Sequence, residues 1–352
     1  MEVLLNSIHR ANGRVRDEDT IGIDIGKQTF HLIAQEASGR ECWRRKVGRA
    51  QRLAQVPACT VVMESCSGAQ HWARQMQRFG HTVRLIAPKH TRAYVQGNKN
   101  DFNDAEAILE AQARPRTRTR SVALKGIEQQ DIQALHRVRE GFSRQRKALI
   151  NQWRGLLAEY GVVMPKSAGA FYRQAPQVLT DADNGVSALC RELLGEQLEW
   201  LRRIDARLAE LDAQLKGIER AEARARVLSD KVNGIGTLTS TALVAAVGDG
   251  RAFRRGRDLS AWLGLVPAPH STGGKAKLLG ISKRGDTYLR TLFLHGARNV
   301  VYRAAGKRDP FSAWVNRLRA RRGMNIAIVA VANKNARRAF AVLRRQAPGQ
   351  AA

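Results

Sequence analysis

The chain has 352 residues, and 60 Lys and Arg against 31 Asp and Glu give it a formal net charge of +29. An excess of this size, spread along the whole chain, favours a polyanionic partner such as nucleic acid over a merely solvated basic surface. No stretch approaches the roughly 20 apolar residues of a membrane span, and the amino terminus lacks the apolar core of a signal peptide. We therefore expect a cytoplasmic protein of two or three domains that does not enter a membrane.

Cysteine usage excludes two further classes of protein. The four cysteines, Cys42, Cys59, Cys66 and Cys190, form no CxxC pair and have no zinc-finger spacing. The pattern is typical of reduced, small apolar residues, and it argues against a disulfide scaffold or a structural zinc site.

The region from residue 20 to residue 124 has the pattern of an α/β domain. Residues 21–47 contain three strand-like runs separated by glycine-containing turns, which predicts a β-meander. The apolar runs at 60–65 and 81–88 predict two more strands with a helix between them. A further helix is predicted at 104–114. Together these elements predict a sheet layered with helices.

The region from residue 125 to residue 222 is predicted to be helical. Seven large residues at helical spacing predict the apolar face of a first long helix: Leu135, Val138, Phe142, Leu149, Trp153, Leu156 and Tyr160. A second long helix carries a seam with alternating steps of three and four: Leu201, Ile204, Leu208, Leu211, Leu215 and Ile218. The two helices predict an antiparallel hairpin of coiled-coil type. The seam pairs either within the chain or with a second copy in a homodimer or tetramer.

The region from 223 to 345 is predicted to be a mainly helical C-terminal domain, with a short tail at 346–352 and a polar lead-in at 1–19 at the other end of the chain. The sequence NGIG between two apolar helical runs predicts a helix-hairpin-helix-like element. Its Gly234 and Gly236 are expected to present backbone N–H groups to a phosphate. The alternative is a glycine turn that merely separates two helices.

Four acidic residues are unusual in so basic a chain. Asp24 lies within an apolar strand, where a carboxylate without a partner costs several kcal/mol. Glu64 ends the next apolar strand, and Asp101 and Asp104 lie three residues apart at a helix start. Carboxylates from two strand ends and one helix start favour a site for one or two Mg²⁺ or Mn²⁺ ions. Taken singly, each also fits a helix cap, an Asx turn or an ion pair with Arg.

Four segments carry a recognisable pattern in a fixed order. They are IGIDIGKQTF from residue 21, VVMESCSGAQHWA from residue 61, LIAPKHTRAYVQGNKNDFNDAEAI from residue 85 and GLVPAPHSTGGKAKLLGISKRGDTYLR from residue 264. Together they resemble the DEDD transposases of the insertion-sequence one-ten family, most closely the subgroup with an HSTGGK-type motif. Piv-type site-specific invertases are relatives of this family. The resemblance covers nearly the whole chain.

The resemblance implies an RNase H-like (RuvC-type) N-terminal domain, a helical coiled-coil insert and a C-terminal transposase domain. It places the metal-binding carboxylates of the family at four positions: Asp24, Glu64, Asp101 and Asp104. It places the nucleophilic serine at Ser271, the first hydroxyl residue of the HSTGGK motif. Thr272 stands where many relatives carry a second serine, so the assignment has an ambiguity of one residue.

Such a serine attacks a phosphodiester to give a phosphoserine ester and a free 3′-OH, which conserves the bond energy for rejoining. A metal held by the carboxylates would activate the hydroxyl and neutralise charge on the phosphate. Five residues near Ser271 are expected to contact nucleic acid, two through close backbone approach and three through positive charge: Gly273, Gly274, Lys275, Lys283 and Arg284. The sequence leaves open whether Ser271 acts in cis or in trans with the carboxylates.

The resemblance also implies donor and target DNA as substrates and a bridge RNA whose loops pair with both. The net charge is compatible with the RNA but does not by itself indicate it. Two other functions stay open from the residues alone. One is a RuvC-like hydrolytic endonuclease in which Ser271 takes no part, and the other is a non-catalytic scaffold that binds RNA or DNA.

Overall fold

A computed structural model describes residues 19–48, 57–98, 100–113, 121–270 and 277–346 of the chain. The chain divides into two units, residues 1–126 and residues 127–352, and each is described by itself. The expected lead-in, apart from Asp19, and the expected tail, apart from Gln346, lie outside the described residues. Within the described residues, no helix combines the length and apolar character that crossing a membrane requires.

The first unit contains a six-stranded sheet. Its strands are β1 (Thr20–Ile25), β2 (Thr29–Gln35), β3 (Glu41–Gly48), β4 (Thr60–Glu64), β5 (Thr82–Ile86) and β6 (Ser121–Val122), in the order β3-β2-β1-β4-β5-β6. Strands β1, β2 and β3 pair antiparallel, which confirms the predicted meander. Strands β4 and β5 run parallel to β1, and β6 pairs antiparallel with β5.

Helices cover both faces of this sheet. They are α1 (Ala69–Arg78), α2 (Pro88–Thr91), which a 3₁₀ turn follows at Arg92–Tyr94, and α3 (Asp101–Ala113). Helix α1 packs its Ala69, Ala73 and Met76 against one face, and the residues Ala105, Ile108 and Leu109 of α3 pack against the other. A sheet buried on both faces has almost continuous apolar strands, because successive side chains point to opposite faces and neither face meets water.

Gly22 sets how closely α3 approaches the sheet. A Cβ atom at this position would lie 2.6 Å from Cγ of Leu109 and 2.9 Å from the carbonyl oxygen of Ala105. Because side chains two residues apart share a face, Asp24 lies on the same face as Gly22. The missing side chain therefore lets the helix lie directly on the strand that carries Asp24.

The second unit is mainly helical. Its helices are α4 (Ile127–Ala158), α5 (Ala168–Thr180), α6 (Ala188–Ala221), α7 (Ala223–Lys231), α8 (Thr237–Val247), α9 (Gly256–Trp262), α10 (Thr287–Arg303), α11 (Pro310–Arg322) and α12 (Met324–Arg345). A two-stranded antiparallel sheet joins β7 (Pro267–Pro269) and β8 (Leu278–Ile281) between α9 and α10.

Helices α4 and α6 form the predicted antiparallel pair. Arg139 of α4 pairs with Asp212 of α6 at 2.5 Å, and Arg146 pairs with Asp205 at 3.2 Å, so the residue number rises along one helix as it falls along the other. The leucine seam of α6 is buried from Leu201 to Leu215 as expected.

The predicted apolar face of α4 is confirmed in part, because Trp153 is buried and Leu149 packs against the same core. The buried residues of α4 are His136, Ile150, Trp153 and Leu157. Val138 and Leu156 are instead 48% and 40% exposed. The physical reason is that Arg139 and Arg146 occupy part of the seam and pair with aspartates of α6, so apolar residues alone do not mark every position of the contact.

A buried polar network joins α4 to the rest of the second unit. The Thr241 hydroxyl lies 2.6 Å from the carbonyl oxygen of Thr237 and donates to it, so it accepts the Nε2–H of His136 at 3.0 Å. Nδ1 of His136 is then left to accept the hydroxyl of Tyr288 at 2.9 Å. This pattern requires the neutral imidazole, and burial together with nearby Arg139 lowers the pKa of His136 to about 4.

The first prediction concerns Gly22. Replacing Gly22 by Ala is expected to destabilise the protein by about 1–3 kcal/mol, because the added methyl group overpacks the contact with α3. Urea denaturation measures this change in the free energy of unfolding. Gly280→Ala in β8 is the matched control, since nothing lies within 4 Å of the Cβ that it adds. Equal stability of the two variants would contradict the proposed role of Gly22.

The second prediction concerns His136. Its folded pKa of about 4 lies below the ordinary value of 6.5, so its contribution to stability is complete above pH 6.5 and is lost as the pH falls towards 4. The wild type should lose about 3 kcal/mol more than His136→Gln over this range. Urea titrations at several pH values measure the difference. His295→Gln, which changes an exposed histidine of α10, should follow the wild-type curve. Parallel curves for wild type and His136→Gln would refute the account.

Candidate active site

Asp24 and Glu64 lie at the same edge of the first unit's sheet. Strands β1 and β4 are parallel neighbours, with Ile23 paired to Met63, so the next residues along each strand are Asp24 and Glu64. The carboxyl ends of parallel strands meet at one edge of a sheet, which is where ligand sites of layered α/β folds commonly form. Both predicted strand carboxylates are therefore brought together.

Helix α3 adds the other two carboxylates. Asp101 and Asp104 occupy its first turn. Negative charge is favourable there, because the first backbone N–H groups of a helix and its dipole present positive charge. The close packing at Gly22 holds this helix start next to Asp24.

Burial and the charges of neighbouring carboxylates disfavour the ionised form of Asp24. Its pKa is raised from 3.8 to about 6, first by burial and then by the charges of Asp104, Asp101 and Glu64. All four predicted carboxylates therefore lie close enough to interact. Without a cation, the folded protein holds Asp24 ionised at neutral pH only at a cost in stability.

Glu64 is oriented by a neighbouring helix. The hydroxyl of Thr91 is buried and donates a hydrogen bond to Oε2 of Glu64, and it lies 3.0 Å from the carbonyl oxygen of Pro88. Because a hydrogen bond from a fixed donor selects one orientation of a carboxylate, α2 positions Glu64 at the edge of the sheet.

His31 is a site residue that the sequence analysis missed. It pairs directly with Asp24 across β1 and β2, and its side chain is 6% exposed. Its Nδ1 lies 3.5 Å from Oδ2 of Asp101. One ligand atom each of Asp24, His31 and Asp101 lies within 4.8 Å of the others. The short turn between β1 and β2 sets their pairing register, and a register derived from it would have placed His31 opposite Asp24.

The donor set of this edge fits a divalent cation. Carboxylate oxygens are the preferred ligands of Mg²⁺ and Mn²⁺, and imidazole nitrogen is accepted by Mn²⁺ and later transition metals. A bound cation would offset the repulsion that raises the pKa of Asp24. The four carboxylates are the residues that would hold it.

The predicted phosphate-binding turn lies between α7 and α8. Gly234, with φ +90°, packs against α10, where its added Cβ would lie 2.9 Å from the carbonyl oxygen of Gly296. Gly236 precedes α8, is exposed and has nothing within 4 Å of its Cβ position. The hydroxyl of Thr237, the first residue of α8, donates a hydrogen bond to Glu219 at 2.6 Å. A negatively charged carboxylate therefore already lies at the helix start where a phosphate is predicted to bind. Binding of a phosphate here stays a prediction.

Ser271 lies outside the described residues, together with Thr272, Gly273, Gly274 and Lys275. The described residues on either side are His270 and Lys277, whose backbone N–H and carbonyl oxygen form a hydrogen bond of 2.8 Å beside strands β7 and β8. Lys283 and Arg284 follow β8 and are exposed, as a role in binding phosphate requires. Ser282 is another hydroxyl residue near the segment of Ser271, and it donates its backbone N–H to the carbonyl oxygen of Val266.

The third prediction concerns Asp24. Asp24→Asn is expected to raise the melting temperature in EDTA at pH 8, because the substitution removes a charge that burial and three carboxylates disfavour. The raised pKa means that the wild type loses stability as the pH rises from 3.8 through 6. Glu106→Gln, at an exposed position of α3, is the control and should change little. A lower melting temperature for Asp24→Asn in EDTA would contradict the electrostatic account.

Comparison with known proteins identifies the family. The profile described as Transposase IS116/IS110/IS902 family matches residues 228–312, and a transposase profile named for the DEDD enzymes of IS110 matches residues 21–162. The second match covers all four carboxylates, and the first covers the segment that contains Ser271.

The similarity to curated relatives extends over almost the whole chain. A probable family 20 transposase of Pseudomonas aeruginosa is 45% identical over 93% of this chain and 97% of that protein. The transposase for insertion sequence element IS1111A of Coxiella burnetii is 43% identical over 94% of this chain and 91% of its own length. The transposase for IS1328 of Yersinia enterocolitica is 39% identical over 92% of this chain and 96% of its own length. The chain therefore belongs to the IS116/IS110/IS902 family of insertion-sequence transposases.

Proposed function

We propose that this transposase cuts and rejoins DNA through a serine ester on Ser271, with a divalent ion such as Mg²⁺ or Mn²⁺ held by the carboxylates. The observation that carries the proposal is the position of Asp24, which is partly buried beside three other carboxylates and has its pKa raised to about 6. A cluster that costs stability in the absence of a cation is typical of a catalytic site.

The architecture of the first unit supports an RNase H-like (RuvC-type) assignment for residues 20–124. A meander on one side of β1 and two strands parallel to β1 on the other place the carboxyl end of β1 near the middle of the sheet. We assign 125–222 to a helical coiled-coil insert, for which the pairing of α4 with α6 is the support. The region 223–345 is assigned to the C-terminal transposase domain.

The proposed reaction conserves the phosphodiester. Oγ of Ser271 loses its proton and attacks the phosphorus, the bond from phosphorus to the 3′ oxygen breaks, and that oxygen takes a proton to become a free 3′-OH. When the 3′-OH of another strand loses its proton and attacks the serine ester, the bond from phosphorus to Oγ breaks, the strands are rejoined and Oγ takes a proton again. A metal ion held by the carboxylates would neutralise charge on the phosphate and favour ionisation of the hydroxyl.

The chain's own residues have defined tasks in this scheme. Asp24, Glu64, Asp101 and Asp104 hold the cation, and Thr91 keeps Glu64 in orientation. The exposed cations Lys283 and Arg284 bind the phosphate backbone near the segment of Ser271. Gly273, Gly274 and Lys275 complete this surface.

We further propose donor and target DNA as the substrates, paired by a bridge RNA of the kind used by the HSTGGK-type subgroup. The net charge of +29 supports a nucleic-acid partner and is compatible with the RNA, whose proposal rests on the resemblance to that subgroup. A homodimer or tetramer is proposed as the working form, because donor and target sites have to be held together during exchange.

The fourth prediction tests the nucleophile. Wild-type protein incubated with DNA that carries its element's ends, RNA and Mg²⁺ should form a protease-sensitive protein–DNA adduct on a denaturing gel. Ser271→Ala should form no adduct and yet bind DNA as before, because it removes no charge. Asp24→Ala should also form none, since the cation site is lost. Thr272→Ala, Ser282→Ala and Glu106→Ala are the matched controls and should retain the adduct.

Each contrary result identifies a different error. An adduct that persists in Ser271→Ala and vanishes in Thr272→Ala would move the nucleophile by one residue. Cleavage by Ser271→Ala with protein-free ends would replace the serine mechanism by hydrolysis. Binding without cleavage by the wild type under all metal conditions would favour a non-catalytic scaffold.

A further inference from the structure

His31 is a buried imidazole whose Nδ1 faces a cluster of carboxylates. The side chain is 6% exposed, and Nδ1 accepts or donates no hydrogen bond within the described part of the chain. Its nearest charged neighbour is Oδ2 of Asp101 at 3.5 Å, which is too long for a hydrogen bond of normal geometry. A buried nitrogen without a hydrogen-bond partner destabilises the folded protein, so its position needs an explanation.

We propose that Nδ1 of His31 is a ligand of the same divalent ion that Asp24 and Asp101 bind. This inference rests on the proposed metal-dependent function and adds a nitrogen to a site otherwise made of carboxylate oxygens. The ligand atoms of the three residues lie within 4.8 Å of one another, so small rotations of the exposed Asp101 side chain bring all three within reach of one ion.

Two contacts hold the imidazole in place for this role. The antiparallel pairing of β1 with β2 sets His31 directly opposite Asp24. The ring of Phe102, in the first turn of α3, packs edge to face against the imidazole with centroids 4.8 Å apart. The same helix turn therefore carries one oxygen ligand and fixes the ring that carries the nitrogen ligand.

An imidazole ligand changes which metals the site prefers. Mg²⁺ favours oxygen ligands alone, whereas first-row transition ions gain affinity from nitrogen. The protein should therefore bind Mn²⁺ more tightly than Mg²⁺. Replacing His31 should weaken Mn²⁺ binding by about tenfold or more and leave Mg²⁺ binding less affected.

The decisive measurement is pulsed electron paramagnetic resonance of Mn²⁺ bound to the nucleic-acid-free, full-length wild-type protein. A directly bound imidazole gives a ¹⁴N modulation of the Mn²⁺ echo, and this modulation is the expected result. It requires neither DNA nor catalytic activity, and the wild type alone provides the answer even if a variant fails to fold.

Three variants make the assignment specific. His31→Phe keeps a buried ring against Phe102 and should lose the ¹⁴N modulation. His31→Asn offers an oxygen near the same place and should reduce the ratio of Mn²⁺ affinity to Mg²⁺ affinity. His71→Phe is the matched control at an exposed histidine of α1, on the opposite face of the sheet, and should keep the wild-type signal. Melting curves in EDTA confirm that each variant is folded.

The outcomes separate this inference from the proposed function. Bound Mn²⁺ without ¹⁴N modulation in the wild type, or modulation that survives in His31→Phe, overturns the role of His31 and leaves the carboxylate site intact. Failure of the wild type to bind Mn²⁺ at millimolar concentration overturns both the ligand role and the metal site. Normal modulation in a protein that forms no DNA adduct would support His31 and contradict the serine mechanism.

Discussion

Close contact between α3 and β1 at Gly22 is the constraint from which the site follows. The helix has no space to lie on the strand if position 22 carries a side chain, because the added Cβ would meet Leu109 and the backbone of Ala105. With glycine, the first turn of α3 reaches the carboxyl end of β1, where Asp24 and Glu64 already meet. The missing side chain at position 22 thus favours the close approach that brings the acidic residues of two strands and one helix together.

Some contacts of the carboxylate cluster destabilise the ionised carboxylates, and others stabilise them. The sheet and the helix bury Asp24 and bring like charges together, and both effects raise the pKa of Asp24, burial more than repulsion. The positive end of α3 and the hydrogen bond from Thr91 offset part of it. A bound cation would offset the remaining repulsion, which is why the arrangement of these carboxylates supports the proposed metal site.

The sequence was sufficient for the β-meander, for the following strands β4 and β5, and for the long helices α4 and α6, because these depend on local patterns. Motif order singled out the four carboxylates, which lie together in the structure, and their roles stay predictions. The sequence did not predict the short strands β6, β7 and β8. It failed where a contact between distant elements decides the outcome. Arg139 and Arg146, which the apolar pattern did not include, occupy the seam of α4 because Asp212 and Asp205 of α6 meet them. His31 looked like one residue in an apolar strand, and only the pairing register places it opposite Asp24. The buried partners of His136, at positions 241 and 288, are more than 100 residues away.

The central claim is that the carboxyl end of β1 and the start of α3 bind a divalent ion. Diffraction from crystals of the full-length protein grown with Mn²⁺, recorded with anomalous scattering from manganese, tests it most directly. The account predicts an anomalous peak within coordination distance of the carboxylates of Asp24 and Asp101. A protein with clear density for these side chains and no anomalous peak between them, or with its manganese bound only elsewhere, would contradict the account.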